Sequence, residues 1–347
     1  MNGMGITLDA ASINEASVAT FARAGASFIR FIAKGMTPRV YLTLAKAFVE
    51  SGRAIKSDFE IIFDMPGRRP RLGSTFEEQT VFRGMTVLLV DEETRQDAIK
   101  SNLVIPTVNL DIYREVIRVG DRMLISDGAT ELKILELLPS GVLAEATRME
   151  SHLTPNRSIL MPDSNIQYRS LSDADLAMVE AIGKSKKFPN PRIAISMIES
   201  PLPVEQLRSL VPDAHIISKI ETRNGLVNRE AICAASDTVM IARGDLSLSL
   251  GIGLLPAASE LLVEAATKTE TEIILATGIF DGVGWQDRPS IADATDVWHY
   301  WKAGIRSFLL SGGDAGKYGR QALEHLAIAL ADFRFAGEDL RTSPDER

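Results

Sequence analysis

Along the chain, short runs that are apolar at every position alternate with longer stretches whose apolar residues recur at helical spacing. The first run is Met4–Asp9, followed by a helix from about Asn14 to Ala24 with Gly25 as its stop. The second is Ala26–Phe31, with a helix from about Pro38 to Ser51, and the third is Phe59–Asp64, cut off at Pro66-Gly67. Runs without polar alternation read as parallel strands buried on both faces.

The pattern changes from about Ser74 to Asp163. Only short β-like pieces occur there: Thr86–Val90, Leu103–Val108, Glu115–Arg118, Met123–Ser126, Leu132–Leu137 and Val142–Thr147. Turn signals such as Gly120-Asp121, Asp127-Gly128 and Ser140-Gly141 separate them, which predicts a small antiparallel barrel or sandwich.

After Pro162 the alternation of strand and helix resumes. A helix capped by Ser172 precedes Arg192–Ile198, and a helix near Val204–Leu210 precedes Ala214–Ile220. A helix over Val227–Ala235 leads to Asp237–Arg243, and one over about Pro256–Thr269 leads to Glu272–Thr277. The series closes with a helix over Ile291–Ala303, the run Ile305–Leu310 and a helix from about Tyr318 to Phe335.

Setting the all-β stretch aside leaves eight strand–helix units in about 245 residues, the size of a (β/α)8 barrel. The expected fold is therefore α/β, a (β/α)8 TIM barrel over 1–73 and 164–336, with an all-β lid inserted after the third strand over 74–163 and a polar tail over 337–347. A doubly wound open sheet competes. Gly3-Met4-Gly5 precedes the first strand instead of following it, so the chain lacks a dinucleotide fingerprint.

Composition narrows the function classes. The 347 residues are 45% hydrophobic and 24% charged, the mix of a globular protein with ample core. No apolar run reaches the ~18 residues of a membrane span, and the N-terminus lacks the pattern of a signal peptide. A single cysteine, Cys233, excludes an intramolecular disulfide and a thiolate metal cluster. The expectation is a cytoplasmic protein without a membrane partner. A net charge of −8 argues against nucleic acid as a partner, but a local cluster of arginines can still hold phosphate.

In such barrels the active site lies at the C-terminal ends of the strands. Strand two ends near Arg30, and strand three at Asp64 with Arg68, Arg69 and Arg71 just beyond. Strand five ends at Lys219-Ile220-Glu221, strand six at Arg243-Gly244-Asp245, strand seven at Thr277 and strand eight at Ser311-Gly312-Gly313. Strand alternation puts Lys219 and Glu221 on one face. Glu221 and Asp245 are hard oxygen donors suited to Mg²⁺ or Mn²⁺, while Arg30, Arg71 and Lys219 supply charge for phosphate oxygens. A carboxylate pair beside a cation cluster is equipment for metal-assisted phosphate or enolate chemistry. Asp64 is read equally well as a cap on the Pro66-Gly67 turn. His152, His215, His299 and His325 lack ligand spacing, and Trp285, Trp298 and Trp301 read as packing.

The segments DMPGRRPRLG (Asp64–Gly73), IISKIETRNG (Ile216–Gly225), IARGDL (Ile241–Leu246), ILATG (Ile274–Gly278) and LLSGGDA (Leu309–Ala315) resemble the pyruvate kinase family, in family order over nearly the whole chain. The stretch RPSIADATDV (Arg288–Val297) is similar to the family's helix after strand seven, and VGDRMLISDG (Val119–Gly128) to part of its lid. The resemblance implies that Glu221 and Asp245 bind the divalent metal that chelates phosphoenolpyruvate. It implies that Lys219 stabilises the charge on the transferred phosphoryl group and the enolate. Gly244 and Asp245 would offer N–H groups to the substrate carboxylate, Thr277 would lie beside the reacting enol carbon, and Arg30 would hold the phosphoryl group. Arg71 would reach the nucleotide phosphates of ADP or ATP, and Asp127 in the lid would close over the nucleotide metal.

The chain departs from that family in places. Arg30 is followed by Phe31-Ile32-Ala33-Lys34-Gly35 instead of a polar stretch that helps hold a monovalent cation. Arg69 stands where many members carry a glutamate and need potassium; a fixed positive charge there resembles the potassium-independent branch, so potassium is not expected to be required. The lysine usual before the lid returns to the barrel is replaced around Arg157, and Gly278 and Gly313 replace a glutamine and a glutamate. The resemblance leads to the expectation of a member without the family's C-terminal regulatory domain, and by analogy a homo-oligomer would form through barrel helices. The expected function is phosphoryl transfer from phosphoenolpyruvate, most simply to ADP. A metal-dependent pyruvate aldolase of the same barrel superfamily and a catalytically inactive binding homologue are the competing readings.

Overall fold

A computed structural model describes residues 3–8, 14–33, 35–91, 101–168, 170–311 and 318–339. The chain opens with β1 (Gly3–Leu8), α1 (Glu15–Arg23), β2 (Ala26–Ile32), α2 (Pro38–Arg53) and β3 (Glu60–Met65). Asn14 caps α1 by accepting from the Ser17 N–H, and α2 starts at Pro38, where a missing N–H costs nothing.

The chain then runs through β4 (Arg71–Leu72), β5 (Gln79–Phe82), β6 (Thr86–Asp91), β7 (Leu103–Val108), β8 (Arg122–Ile125), β9 (Thr130–Leu138), β10 (Gly141–Ala146), β11 (Glu150–Leu153) and β12 (Ile159–Leu160). Next come α3 (Asp173–Gly183), β13 (Arg192–Ile195), α4 (Leu202–Leu210), β14 (His215–Ile220), α5 (Arg223–Val227), α6 (Arg229–Ala235) and β15 (Thr238–Ala242). The last elements are α7 (Arg243–Leu250), α8 (Leu255–Lys268), β16 (Glu272–Ala276), α9 (Val283–Gln286), α10 (Ile291–Lys302), β17 (Ser307–Leu310) and α11 (Arg320–Asp339).

Eight parallel strands close a barrel in the order β1-β17-β16-β15-β14-β13-β3-β2. Two apolar layers hold it. Outward residues such as Ile29, Phe31, Ile61, Phe63, Ile216 and Val239 pack against the helices. Inward residues Phe28, Ile62, Ala194, Ile217, Met240, Ile274 and Leu309 fill the interior. Gly5 is part of this fit: a Cβ there would stand 2.2 Å from the Phe28 ring. Burying each of the larger side chains is worth about 1.5–3 kcal/mol.

Between β3 and α3, a seven-stranded sheet has the order β12-β8-β9-β10-β6-β7-β4, with β11 and β5 forming a separate pair. Leu72, Val87, Leu89, Ile105, Met123, Leu132 and Val142 belong to its own buried cluster. Its two connections to the barrel run side by side, with Leu72 N–H donating to Arg157 O (2.8 Å) and Ile159 N–H to Pro70 O (2.9 Å).

Several sequence expectations change here. The predicted antiparallel barrel or sandwich is a sheet with one parallel pair: β6 and β7 run in parallel, and the other neighbours are antiparallel. Glu115–Arg118 is not a strand; Tyr113 is buried at the end of a 3-10 helix over Asp111–Tyr113, Ile117 is buried from the irregular chain that follows, and the Tyr113 hydroxyl donates to Arg68 O. The helix expected over Val227–Ala235 is broken at Asn228. The last helix, expected to end near Phe335, runs on to Asp339; Asp9, Lys34, Gly312, Gly313 and 340–347 lie outside the described residues. Among the described residues no single helix is long and apolar enough to cross a membrane.

Candidate active site

The inward positions of the barrel strands become polar two residues beyond the apolar interior layer. Phe28 is followed on the same face by Arg30, Ile62 by Asp64, Ala194 by Ser196, and Ile217 by Lys219 and then Glu221. The polar layer therefore sits at the C-terminal end. Asp64 is 1% exposed and accepts from Arg30 Nε (2.8 Å) and Nη2 (2.7 Å), while Lys219 Nζ lies 3.4 Å from its second oxygen. Lys219 also donates to Ser196 Oγ (2.8 Å) and stands 3.2 Å from Glu221 Oε1. Glu221 Oε2 accepts the Met197 N–H at 2.6 Å, and Met197 adopts a left-handed backbone with φ 56°.

Arg69 closes the layer from the β3–β4 connection. Its guanidinium donates to both oxygens of Asp245 (3.2 and 3.1 Å) and lies 3.5 Å from Glu221. Charge and burial oppose each other at Asp64, Asp245 and Glu221. Burial alone would raise Asp64, but Arg30 and Lys219 outweigh it and hold the carboxyl below its ordinary range. Burial likewise acts on Asp245, and Arg69 overrides it to hold that carboxyl at about 2. For Glu221 burial prevails over Lys219 and Arg69, and the value is raised. Burial, then the charge of Arg69, pushes Arg71 down to about 10. Asp127 is raised by burial and by Asp245.

Arg30, Asp64, Arg69, Arg71, Asp127, Arg157, Ser196, Lys219 and Asp245 line one cavity of about 230 Å³. Of the sequence candidates, Arg30, Arg71, Asp127, Lys219 and Asp245 thus meet there, with Glu221 buried against Lys219 and Arg69. Gly244 and Thr277 line a second cavity of about 370 Å³, together with Arg243, Ser247 and Asp296. Thr277 is held at φ 74°, a conformation costly for a β-branched residue, and Gly278 follows at φ 71°. Arg243 fixes this turn: it donates to Thr277 O (2.8 Å) and Gly278 O (2.9 Å) and pairs with Asp296 at 2.8 Å.

Gly244 and Asp245 lie in the first turn of α7, where helix N–H groups have no partner within the helix. That end can therefore receive an anion. Asp64 lines this cavity, paired with Arg30 and Lys219. Ser196, Arg157 and Arg243 are additional, and inward parity was the signal that could have found Ser196. Among the described residues no group of three His, Cys, Asp or Glu side chains could hold a metal. Glu221 and Asp245 are a pair, a donor set that suits an ion whose other positions are filled by substrate and water oxygens.

A family profile described as pyruvate kinase, barrel domain, matches residues 4–323. A pyruvate kinase of Corynebacterium efficiens is 27% identical over 279 residues, 78% of this chain and 56% of the relative. One of Thermoplasma acidophilum is 28% identical over 79% of this chain and 48% of its own length. One of Thermotoga maritima is 27% identical over 83% and 61%. The chain thus spans about half the length of the curated relatives it matches.

Proposed function

The chain belongs to the pyruvate kinase family, and we propose that it transfers the phosphoryl group of phosphoenolpyruvate to ADP, giving pyruvate and ATP. The observation that carries this reading is the meeting of Arg30, Arg71, Lys219 and Asp245 in one cavity above a buried Glu221. Phosphoryl transfer needs little covalent help from a protein and depends on positioning and charge neutralisation. In the forward direction a β-phosphate oxygen of ADP attacks phosphorus, the bond to the enol oxygen breaks, and the enolate takes a proton at carbon to give pyruvate.

Arg30, held by Asp64, binds the phosphoryl oxygens. Lys219, held by Asp64 and Ser196, opposes the charge that grows on the phosphoryl group and the enol oxygen. The N–H groups of Gly244 and Asp245 receive the substrate carboxylate, and Thr277 borders the enol carbon. Arg71 and Asp127 face the nucleotide, with residues 74–163 acting as a lid that excludes water. Mg²⁺ or Mn²⁺ held by Glu221 and Asp245 would supply further neutralisation of substrate oxygens. Potassium is not required, because Arg69 brings a permanent positive charge to this cavity.

Pyruvate formation from phosphoenolpyruvate and ADP, coupled to reduction by lactate dehydrogenase, tests the reading. Turnover should need Mg²⁺ or Mn²⁺, and Lys219→Met or Glu221→Gln should lower kcat by roughly 10²–10³-fold. No turnover by the parent protein, together with cleavage of a 4-hydroxy-2-oxo acid, would replace it with an aldolase.

A further inference from the structure

We propose that Arg69 is a resident counter-cation which occupies the place between Asp245 and Glu221, so that a divalent ion binds there only by displacing it. This rests on the reading of Glu221 and Asp245 as the metal carboxylates. All four of their oxygens are engaged. Both of Asp245 accept from the Arg69 fork, at 3.2 and 3.1 Å. Glu221 Oε1 is shared between Lys219 at 3.2 Å and Arg69 at 3.5 Å, and Oε2 accepts the Met197 N–H. Arg69 is itself only 8% exposed, so it is a structural part of the layer and not a surface charge resting on it.

An ion at about 2.0–2.1 Å from the same carboxylates leaves no room for a guanidinium about an ångström further out, and it places like charges in contact. The two occupants exclude each other. Displacement is feasible because the arginine is held at one end only: its Nε has no hydrogen-bond partner among the described residues, although it too is a donor. Arg69 also lies next to Arg68, whose carbonyl accepts from Tyr113 in the inserted sheet at 2.7 Å.

Mn²⁺ binding to the substrate-free protein, read from the loss of the free-ion electron paramagnetic resonance signal, tests this without turnover. Asp245→Asn should abolish binding at this site; retention of Mn²⁺ affinity would place the ion elsewhere and remove the premise. Arg69→Met should tighten Mn²⁺ by at least about tenfold, the factor that even one of its two charge-assisted hydrogen bonds represents. Arg71→Met, which removes a charge from the same cavity but no bond to the carboxylates, should change it far less. Equal affinity in wild type and Arg69→Met overturns the proposal, and so does an equal effect of Arg71→Met. If Arg69→Met fails to fold, Arg69→Lys carries the test, because an ammonium cannot span both oxygens as the fork does. Tighter Mn²⁺ than in wild type supports displacement, and unchanged affinity overturns it. Loss of turnover with Mn²⁺ binding intact would count against the proposed reaction alone.

Discussion

Asp64 shows how much a single buried charge can organise. It pairs with Arg30 and Lys219 from two other strands, Lys219 being buried and Arg30 only partly exposed. Replacing it by asparagine leaves two like charges facing each other; removing one partner from a buried ionic cluster costs about 3 kcal/mol or more. Asp64→Asn should therefore lower the denaturation midpoint and raise the KM for phosphoenolpyruvate through a displaced Arg30, both measurable on one preparation. The pH response follows from the same charges. Asp64 and Asp245 are depressed in the folded chain, Asp245 from 3.8 to about 2. Their stabilisation is present above about pH 4 and is lost as pH falls through the folded values. Denaturant titrations between pH 4 and 2 should show a steep loss of stability that Asp245→Asn makes shallower. The candidate residues were legible because strand parity and strand ends name inward positions at the mouth. The partner of each was not, since no spacing in the sequence says that Arg69 reaches Asp245 across 176 positions.

At the scale of elements, continuous apolar runs identified the barrel strands, while α7 went unread. Its sequence RGDLSLSL places Leu246, Leu248 and Leu250 at a period of two, which imitates a strand. In the fold it is a helix whose leucines serve different surfaces: Leu246 and Leu250 join the barrel core, and Leu248 packs on the inserted sheet. The short strands β4 and β12 escaped for another reason. Two residues carry no periodicity, and these strands exist only through pairing with distant segments, β4 with β7 and β12 with β8. α7 begins with Arg243, whose fork holds the carbonyls of Thr277 and Gly278, so one helix start fixes the strained turn after β16. Arg243→Lys cannot reach both carbonyls. It should lower kcat while leaving the KM for phosphoenolpyruvate within a few-fold, because Thr277 shifts and the phosphoryl contacts of Arg30 do not. A change confined to KM, in steady-state assays at saturating nucleotide, would show that the turn is not held for catalysis.

Across the whole molecule, charge is separated. The chain carries −8, yet the cavity at the barrel mouth is lined by Arg30, Arg69, Arg71, Arg157 and Lys219 against Asp64, Asp127 and Asp245. An anionic substrate is thus repelled by the average surface and attracted at one place, and a cleft with low-dielectric walls concentrates that attraction. Because the Debye length falls from about 10 Å at 0.1 M salt to about 3 Å at 1 M, the approach of phosphoenolpyruvate should weaken with ionic strength. The identity of the monovalent ion should not matter, since Arg69 carries a permanent charge where a bound cation would otherwise have to be recruited. Matched titrations with KCl and NaCl separate the two effects. The expected outcome is a KM for phosphoenolpyruvate that rises with either salt along the same curve, with kcat unchanged between them. Activation by potassium over sodium at fixed ionic strength would mean that Arg69, engaged with Asp245 and Glu221, leaves a monovalent site that still has to be filled.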